Sequence, residues 1–394
     1  MKNKITLLTI LLAFIGTIAN AQWTAVNTGL TNTSISSFAI NGTDIFAGTG
    51  GGVFLSTNNG SNWTAVNNGL TNLNVWALAT SGSNIFAGTN AGIFLSTNNG
   101  GNWASVNNGL MNLTVYSLAI SGSNIFAGTF GGGVFLSTNN GSSWTSVNTG
   151  LTGSALYCFS FVINGTDIFA GTGGGVFLST NNGSNWTALN TGLTTPDVRS
   201  LAISGTNIFA GTFGGGVFLS TNSGSSWTAV NTGLTNDTVL SLVANGANIY
   251  AGTYFGGVFL SANNGSNWTA ANTGLTNFNV WALAKIGTYI FAGTQGGGVF
   301  SSVNAPTSIN ETSSDNAFIT VFPNPSNGVF HFQFSGSQKA EIKIYDVLGE
   351  IVYSSEIING KSEIDLSYQP KGIYFVRATT DKQTIYNQKI IITK

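Results

Sequence analysis

Between Trp23 and Val303 the chain alternates short apolar runs with turns rich in glycine, asparagine, serine and threonine. One stretch shows the grammar. Trp186-Thr-Ala-Leu-Asn190 alternates and predicts a strand, and Thr191–Asp197 reads as a loop. Val198–Ile203 predicts a second strand, closed by a tight turn at Ser204–Asn207, and Asn207–Gly211 a third. The glycine-rich turn Thr212–Gly216 leads into a fourth strand, Val217–Ser220, and Thr221–Ser226 turns into the next tryptophan. Runs of four to six residues with period-2 character, bounded by such turns, fit short strands of an antiparallel sheet.

This phrase recurs. Trp23, Trp63, Trp103, Trp144, Trp186, Trp227 and Trp268 mark a period of 40–42 residues, and Ile-Phe-Ala-Gly (once with Tyr) returns at Ile45, Ile85, Ile125, Ile168, Ile208, Ile249 and Ile290. Four short strands at a period near 40 predict an all-β fold, a seven-bladed β-propeller. The Ala-rich strand (Leu78-Ala, Leu201-Ala, Leu283-Ala) is expected innermost, where blades crowd the axis, and the tryptophan strand outermost. In that phase the chain starts with an outer strand at Trp23–Val26 and ends with three strands of a last blade. The N-terminal strand is therefore expected to complete the C-terminal blade and remove open edges.

The turn Ser56-Thr-Asn-Asn-Gly-Ser-Asn-Trp63 resembles the Asp-box, Ser-x-Asp-x-Gly-x-x-Trp, of sialidase-type secreted propellers, and matches again at Ser96, Ser137, Ser179, Ser220 and Ser261. Asn58, Asn98, Asn139, Asn181, Asn222 and Asn263 replace the aspartate, and asparagine still closes an Asx-type turn. The resemblance implies a structural cap between third and fourth strands, with no activity attached. Farther on, Val329-Phe-His-Phe-Gln-Phe334 alternates, placing Phe330, Phe332 and Phe334 on one face and His331 on the other. Val321-Phe-Pro-Asn-Pro-Ser-Asn-Gly328, Ile344-Tyr-Asp-Val-Leu-Gly349, Pro370-Lys-Gly-Ile-Tyr-Phe-Val376 and Lys389–Lys394 are together similar to the C-terminal sorting domain (type A) of type IX secretion substrates. That resemblance implies a small C-terminal β-sandwich, handling by the type IX machinery, and a secreted or outer-membrane cell-surface destination. It also implies removal of the tail after passage.

Charge sharpens the division. Residues 22–304 carry only Asp44, Asp167, Asp197, Arg199, Asp237 and Lys285, whereas nine acidic and eight basic residues follow from Ala305 onward. Residues 305–316 read as a polar linker and 317–394 as the sorting domain. Lys2 and Lys4 before the apolar run Ile5–Ile18, with Ala19-Asn20-Ala21 behind it, predict a secretory leader over 1–21. No other stretch reads as a membrane helix, and the lone Cys158 reads as a small apolar strand residue. Without a basic stripe, no nucleic-acid partner is expected. A monomer is expected.

Catalysis finds little material. Sialidase chemistry needs an arginine triad and a glutamate-activated tyrosine, but residues 22–304 hold one arginine and no glutamate. A two-carboxylate glycoside hydrolase would have to use Asp197 and Asp237, and Arg199 reads equally as their local ion-pair partner. No metal-ligand cluster, phosphate loop or cofactor motif is present; no metal and no cofactor are expected.

Differences among the copies are more informative. One group follows the valine of the inner strand: Ser36, Trp76, Tyr116, Tyr157, Arg199, Leu240 and Trp281. A second lies in the glycine hairpin: Gly50, Asn90, Phe130, Gly173, Phe213, Tyr254-Phe255 and Gln295. A third precedes the inner strand: Leu73, Leu113, Asp197, Asp237 and Phe278. All three are expected on one face, opposite the Asn-box turns. Two readings stay open for Trp76, Tyr116 and Trp281, packing between blades or display; Phe130, Phe213 and Tyr254 are expected to be exposed. The expectation is an exported, non-catalytic module that binds a glycan or a surface protein there. The alternative is a passive adhesin or matrix component.

Overall fold

The computed structural model describes residues 23–303, 319–334, 339–346, 350–358, 361–380 and 385–393. The expected leader (1–21) and linker (305–316) lie outside the described residues. The chain divides into two compact units, Met1–Ala305 and Pro306–Lys394.

The described part of the first unit is built from seven four-stranded antiparallel sheets. We letter the strands of each sheet a to d. In the first sheet these are Ile35–Asn41, Asp44–Thr49, Gly52–Ser56 and Thr64–Ala65. The following five sheets repeat this order, with a strands Val75–Ser81, Val115–Ser121, Cys158–Asn164, Val198–Ser204 and Val239–Asn245. The seventh combines Val280–Ile286, Tyr289–Thr294 and Gly298–Val303 with Thr24–Ala25 as its d strand, Thr24 opposite Ser301.

Strand b is buried along almost its whole length in every sheet, as in Ile45, Phe46 and Ala47. Neighbouring sheets cover both of its faces, so it reads as a continuous apolar run rather than an alternating one. The apolar clusters straddle sheets: Phe46 of the first packs with Leu78, Ile85 and Trp103 of the second. The same arrangement returns from seventh to first, where Phe291 and Val299 join Ile35, Ile45 and Trp63.

The repeated tryptophans act at these junctions. Trp63 Nε1 donates to the Val26 carbonyl (2.8 Å), Trp103 to Val66 (2.6 Å), Trp227 to Leu189 (2.7 Å) and Trp23 to Ala271 (2.6 Å). Each backbone N–H also donates into the preceding copy, as Trp103 N does to Asn68 O. The glycine after Asn68 lies so close that a Cβ on Gly69 would stand 2.2 Å from the Trp103 carbonyl oxygen. Because these residues are spent on junctions, the d strand is only two residues long, shorter than the five expected from Trp186–Asn190. The a strand is not restricted to small side chains: buried Leu78 and Leu201 point into the space between sheets rather than at an axis.

The second unit has two antiparallel sheets. Ile319–Phe322, Val329–Phe334 and Lys361–Asp365 form one; Ile351–Ile358, Lys339–Tyr345, Gly372–Thr380 and Ile385–Ile392 form the other. One core joins them, with Phe330, Phe332 and Ile364 against Ile342, Ile344, Val376 and Ile390. His331 points away from that core and faces Glu363 at 3.5 Å; the Phe334 side chain lies outside the described set.

Candidate ligand-binding face

The two ends of the sheets differ in kind. At one end the c–d turn is uniform. Ser56 Oγ accepts from Gly60 N (2.8 Å) and donates to Asn58 Oδ1 (3.1 Å), which accepts from Asn62 N (2.9 Å). Asn59 takes a left-handed φ of 53°, and Asn99, Asn140, Asn182, Ser223 and Asn264 do the same in their copies. Asparagine tolerates that region better than most residues. Five further serines, from Ser96 to Ser261, make the same bond to the backbone of a glycine four residues on.

The variable residues lie at the opposite end, and a backbone device presents them. Every a strand slips register against strand b one residue after its start, between Val75 and Ala77 or Val115 and Ser117, for example. A β-bulge leaves one residue unpaired and re-aims its side chain. The bulged residues are Ser36, Trp76, Tyr116, Phe159, Arg199, Leu240 and Trp281. Phe159 therefore holds the position expected for Tyr157. Cys158 stands where the other copies have a β-branched residue, and a 3-10 turn at Gly153–Leu156 changes the approach, which shifted the sequence register. Tyr157 is still on this end, as an exposed residue bridged to Phe130.

The b–c hairpins carrying the second variable group are braced by an invariant side chain. Asn67 Oδ1 accepts from Val53 N (2.7 Å) and its amide donates to Gly51 O (3.2 Å). Asn107, Asn148, Asn190, Asn231, Asn272 and Asn27 repeat that pair of bonds. Asparagines of the d–a loops add a second brace: Asn112 donates to Phe130 O, Asn236 to Tyr254 O and Asn277 to Gln295 O. Hairpins also bond to the next sheet, as when Gly214 and Gly216 donate to Asp237 O.

Most of the displayed side chains form one continuous arc. Trp76 lies near-parallel to Tyr116 (centroids 5.1 Å) and to Trp281 (6.2 Å). Tyr116 touches Phe130 (5.3 Å) and Phe159 (6.2 Å), and Phe130 meets Tyr157 edge-on at 4.7 Å. The Arg199 guanidinium sits 4.1 Å from the Phe159 ring centroid and 5.1 Å from that of Phe213. Tyr254 and Phe255 form a separate pair at 4.3 Å, and the backbone carbonyl of exposed Phe278 accepts from Gly257 N beside them. Trp76, Tyr116 and Trp281 are thus half-buried against one another, while Phe130, Phe213 and Tyr254 are exposed. Met111, 91% exposed, also belongs to this end; as a lone methionine in a loop it gave no signal in the sequence. Phe159 was recoverable by aligning the copies on the serine that follows it, Ser160.

Asp197 and Arg199 form a two-pronged pair, Nε to Oδ1 at 2.7 Å and Nη2 to Oδ2 at 2.8 Å. Both carboxylate oxygens are engaged by that fork. Asp237 is exposed and joins no ion pair among the described residues. Among the described residues no three His, Cys, Asp or Glu side chains cluster as a metal site. No described helix is long and apolar enough to cross a membrane.

Known proteins place the two units differently. A family model described as the secretion system C-terminal sorting domain matches residues 320–393. The chain is similar to an endo-acting ulvan lyase of Formosa agariphila, 29% identical over 86 residues, which is 22% of this chain and 17% of that protein. It therefore spans less than a fifth of that curated relative's length. In fold it is similar to PorZ, an essential bacterial surface component of the type-IX secretion system of Porphyromonas gingivalis (TM-score 0.57, 16% identity, 93% of this chain and 60% of that one). It is also similar to the GH74 xyloglucanase from Xanthomonas campestris (TM-score 0.59, 15% identity, 80% and 59%). At these identities the likeness is one of fold, that of β-propeller proteins. The sorting tail indicates export by the type IX machinery, to the cell surface or the medium.

Proposed function

We propose that the first unit is a closed seven-bladed β-propeller of the Asp-box type, and that it is the non-catalytic, ligand-binding cargo of a β-sandwich sorting tail. One observation carries the binding reading. The parts of the repeat that stay constant, the bracing asparagines and the bulge, hold in place the parts that vary. Aromatic differences gathered mostly on rigidly presented side chains at one end are how repeat scaffolds build binding surfaces. The uniform turns at the other end serve construction only.

The ligand is a glycan or a protein at the cell surface, met by aromatic rings that bury large apolar area at low entropic cost. A hydrolytic role is disfavoured: residues 22–304 hold no glutamate, and the Asp197 carboxylate is clamped by Arg199. Full-length protein is to be screened on a glycan array and against surface proteins of the producing cells. Specific binding that Phe130→Ala with Phe213→Ala weakens at least tenfold supports the reading. No binding to either class favours a passive matrix component. Polysaccharide turnover abolished by Asp197→Asn or Asp237→Asn would instead reveal an enzyme.

A further inference from the structure

Resting on that reading, we propose that the ligand is an uncharged polysaccharide chain. It lies on the Trp281–Trp76–Tyr116 platform and enters over the first sheet. Three features point there.

The platform is built of near-parallel rings whose centroids are 5.1 and 6.2 Å apart. All three are only half-buried, so part of the aromatic surface stays open to a ligand ring.

Amide side chains hold the edges of both indoles. Trp76 Nε1 donates to Asn90 Oδ1 (2.7 Å), and Trp281 Nε1 donates to Asn279 Oδ1 (3.0 Å). Asn279 Nδ2 in turn donates to Gln295 Oε1 (2.7 Å). Each amide keeps further donors and acceptors beside the stacking surface, the pairing that sugar hydroxyls require. Charge on this end is confined to Asp197, Arg199 and Asp237, and the first two neutralise each other. Nothing here complements a uronate or sulfate, and one acidic side chain opposes them.

One sheet, moreover, contributes only small side chains to this end. The first sheet contributes only Thr33, Ser36 and Gly50 where other sheets put Leu73, Trp76, Phe130 or Phe213. That sheet packs between those of Trp281 and Trp76, so its small side chains leave a low point in the rim beside the platform. A side chain can fill it: a Cβ on Gly50 meets nothing closer than 3.7 Å, and its backbone is not left-handed.

The test measures binding of full-length protein to a neutral glucan, galactan and mannan, with alginate and a sulfated galactan as charged counterparts. Each is tested as polymer and as trisaccharide. Trp76→Ala with Trp281→Ala is expected to lower affinity for both sizes of the preferred neutral glycan at least tenfold. Gly50→Phe is expected to lower it for the polymer alone. Gly50→Gln serves where the phenylalanine variant fails gel filtration. Tighter binding to the charged polymers, or full polymer affinity in a folded gap-filling variant, overturns the proposal. A protein partner lost on Phe130→Ala with Phe213→Ala, with no glycan bound, overturns it too but leaves the binding face standing. Glycan binding indifferent to every variant at this end removes both.

Discussion

At the scale of single residues, the repeated tryptophan and the serine of strand a make opposite energetic contributions. Trp103 is buried and bonded to the Val66 carbonyl. Trp103→Phe keeps most of the apolar area and leaves that carbonyl short of a donor, an expected cost of about 1–2 kcal/mol. Trp103→Ala adds a cavity and is expected to cost about 3–5 kcal/mol. Urea unfolding midpoints of the two variants should fall in that order; a phenylalanine variant as stable as the parent would show that the bond is worth nothing. The serines behave otherwise. The hydroxyls of Ser37, Ser160, Ser200 and Ser241 are buried without a partner, whereas Ser117 donates to Cys158 O (3.1 Å). Ala77 and Ala282 fill the same position in two other copies. Ser200→Ala and Ser241→Ala are therefore expected to leave stability unchanged or raise it, and Ser117→Ala to lower it by about 1 kcal/mol.

Cys158 adds a pH dependence. Burial pushes its thiol up from 9.0 to about 12, only partly offset by the Ser117 hydroxyl. Below pH 9 both folded and unfolded chains keep the proton, so stability is unaffected. From about pH 9 to 12 the unfolded chain releases a proton that the folded one retains, and stability falls. Native protein at pH 8 is expected to resist thiol reagents until denatured; prompt modification of the folded chain would contradict its burial.

At the scale of elements, hairpins and bulges decide what the repeat displays. Existence and order of the four strands were legible from apolar runs and turn residues. The bulge was not. It depends on how strand a registers against strand b, which no local pattern encodes; the exchange of Tyr157 for Phe159 has a local cause, Cys158 standing where the other copies have valine or isoleucine. Glycines at this scale divide by surroundings. Gly69 (φ +83°) faces the Trp103 carbonyl at 2.2 Å, and Gly82 (φ +58°) has open space around its Cβ position. Gly82→Ala bears only left-handed strain, expected at about 1–2 kcal/mol. Gly69→Ala must also push two sheets apart and is expected to cost more. Thermal melts of the pair check this, and equal shifts would mean the junction yields freely.

At the scale of the whole molecule, the seventh sheet takes its d strand from the other end of the first unit. Trp23 bonds to Ala271 O and Thr273 O, and Val26 N donates to Val299 O. Removing residues 22–26 exposes the edge of Gly298–Val303 and the carbonyls that Trp23 met. The truncated chain is expected to lose stability and to associate through that edge, a known hazard of unpaired strands. Light scattering after gel filtration would show this; a monomer as stable as the parent would argue that the closing strand is dispensable.

Sequence alone determined the repeat, the existence and order of its strands, the periodic tryptophans and the sorting tail, because each is written in local spacing and residue type. Tertiary structure alone decided which variable side chains meet. Trp281 and Trp76 are 205 positions apart in the sequence, yet their rings lie 6.2 Å apart once seven sheets are arranged in turn. It also decided that Arg199 is held by Asp197 beneath Phe213, and that the first sheet leaves the gap. These outcomes follow from register and from packing between sheets, which act across copies and leave no mark within any one of them.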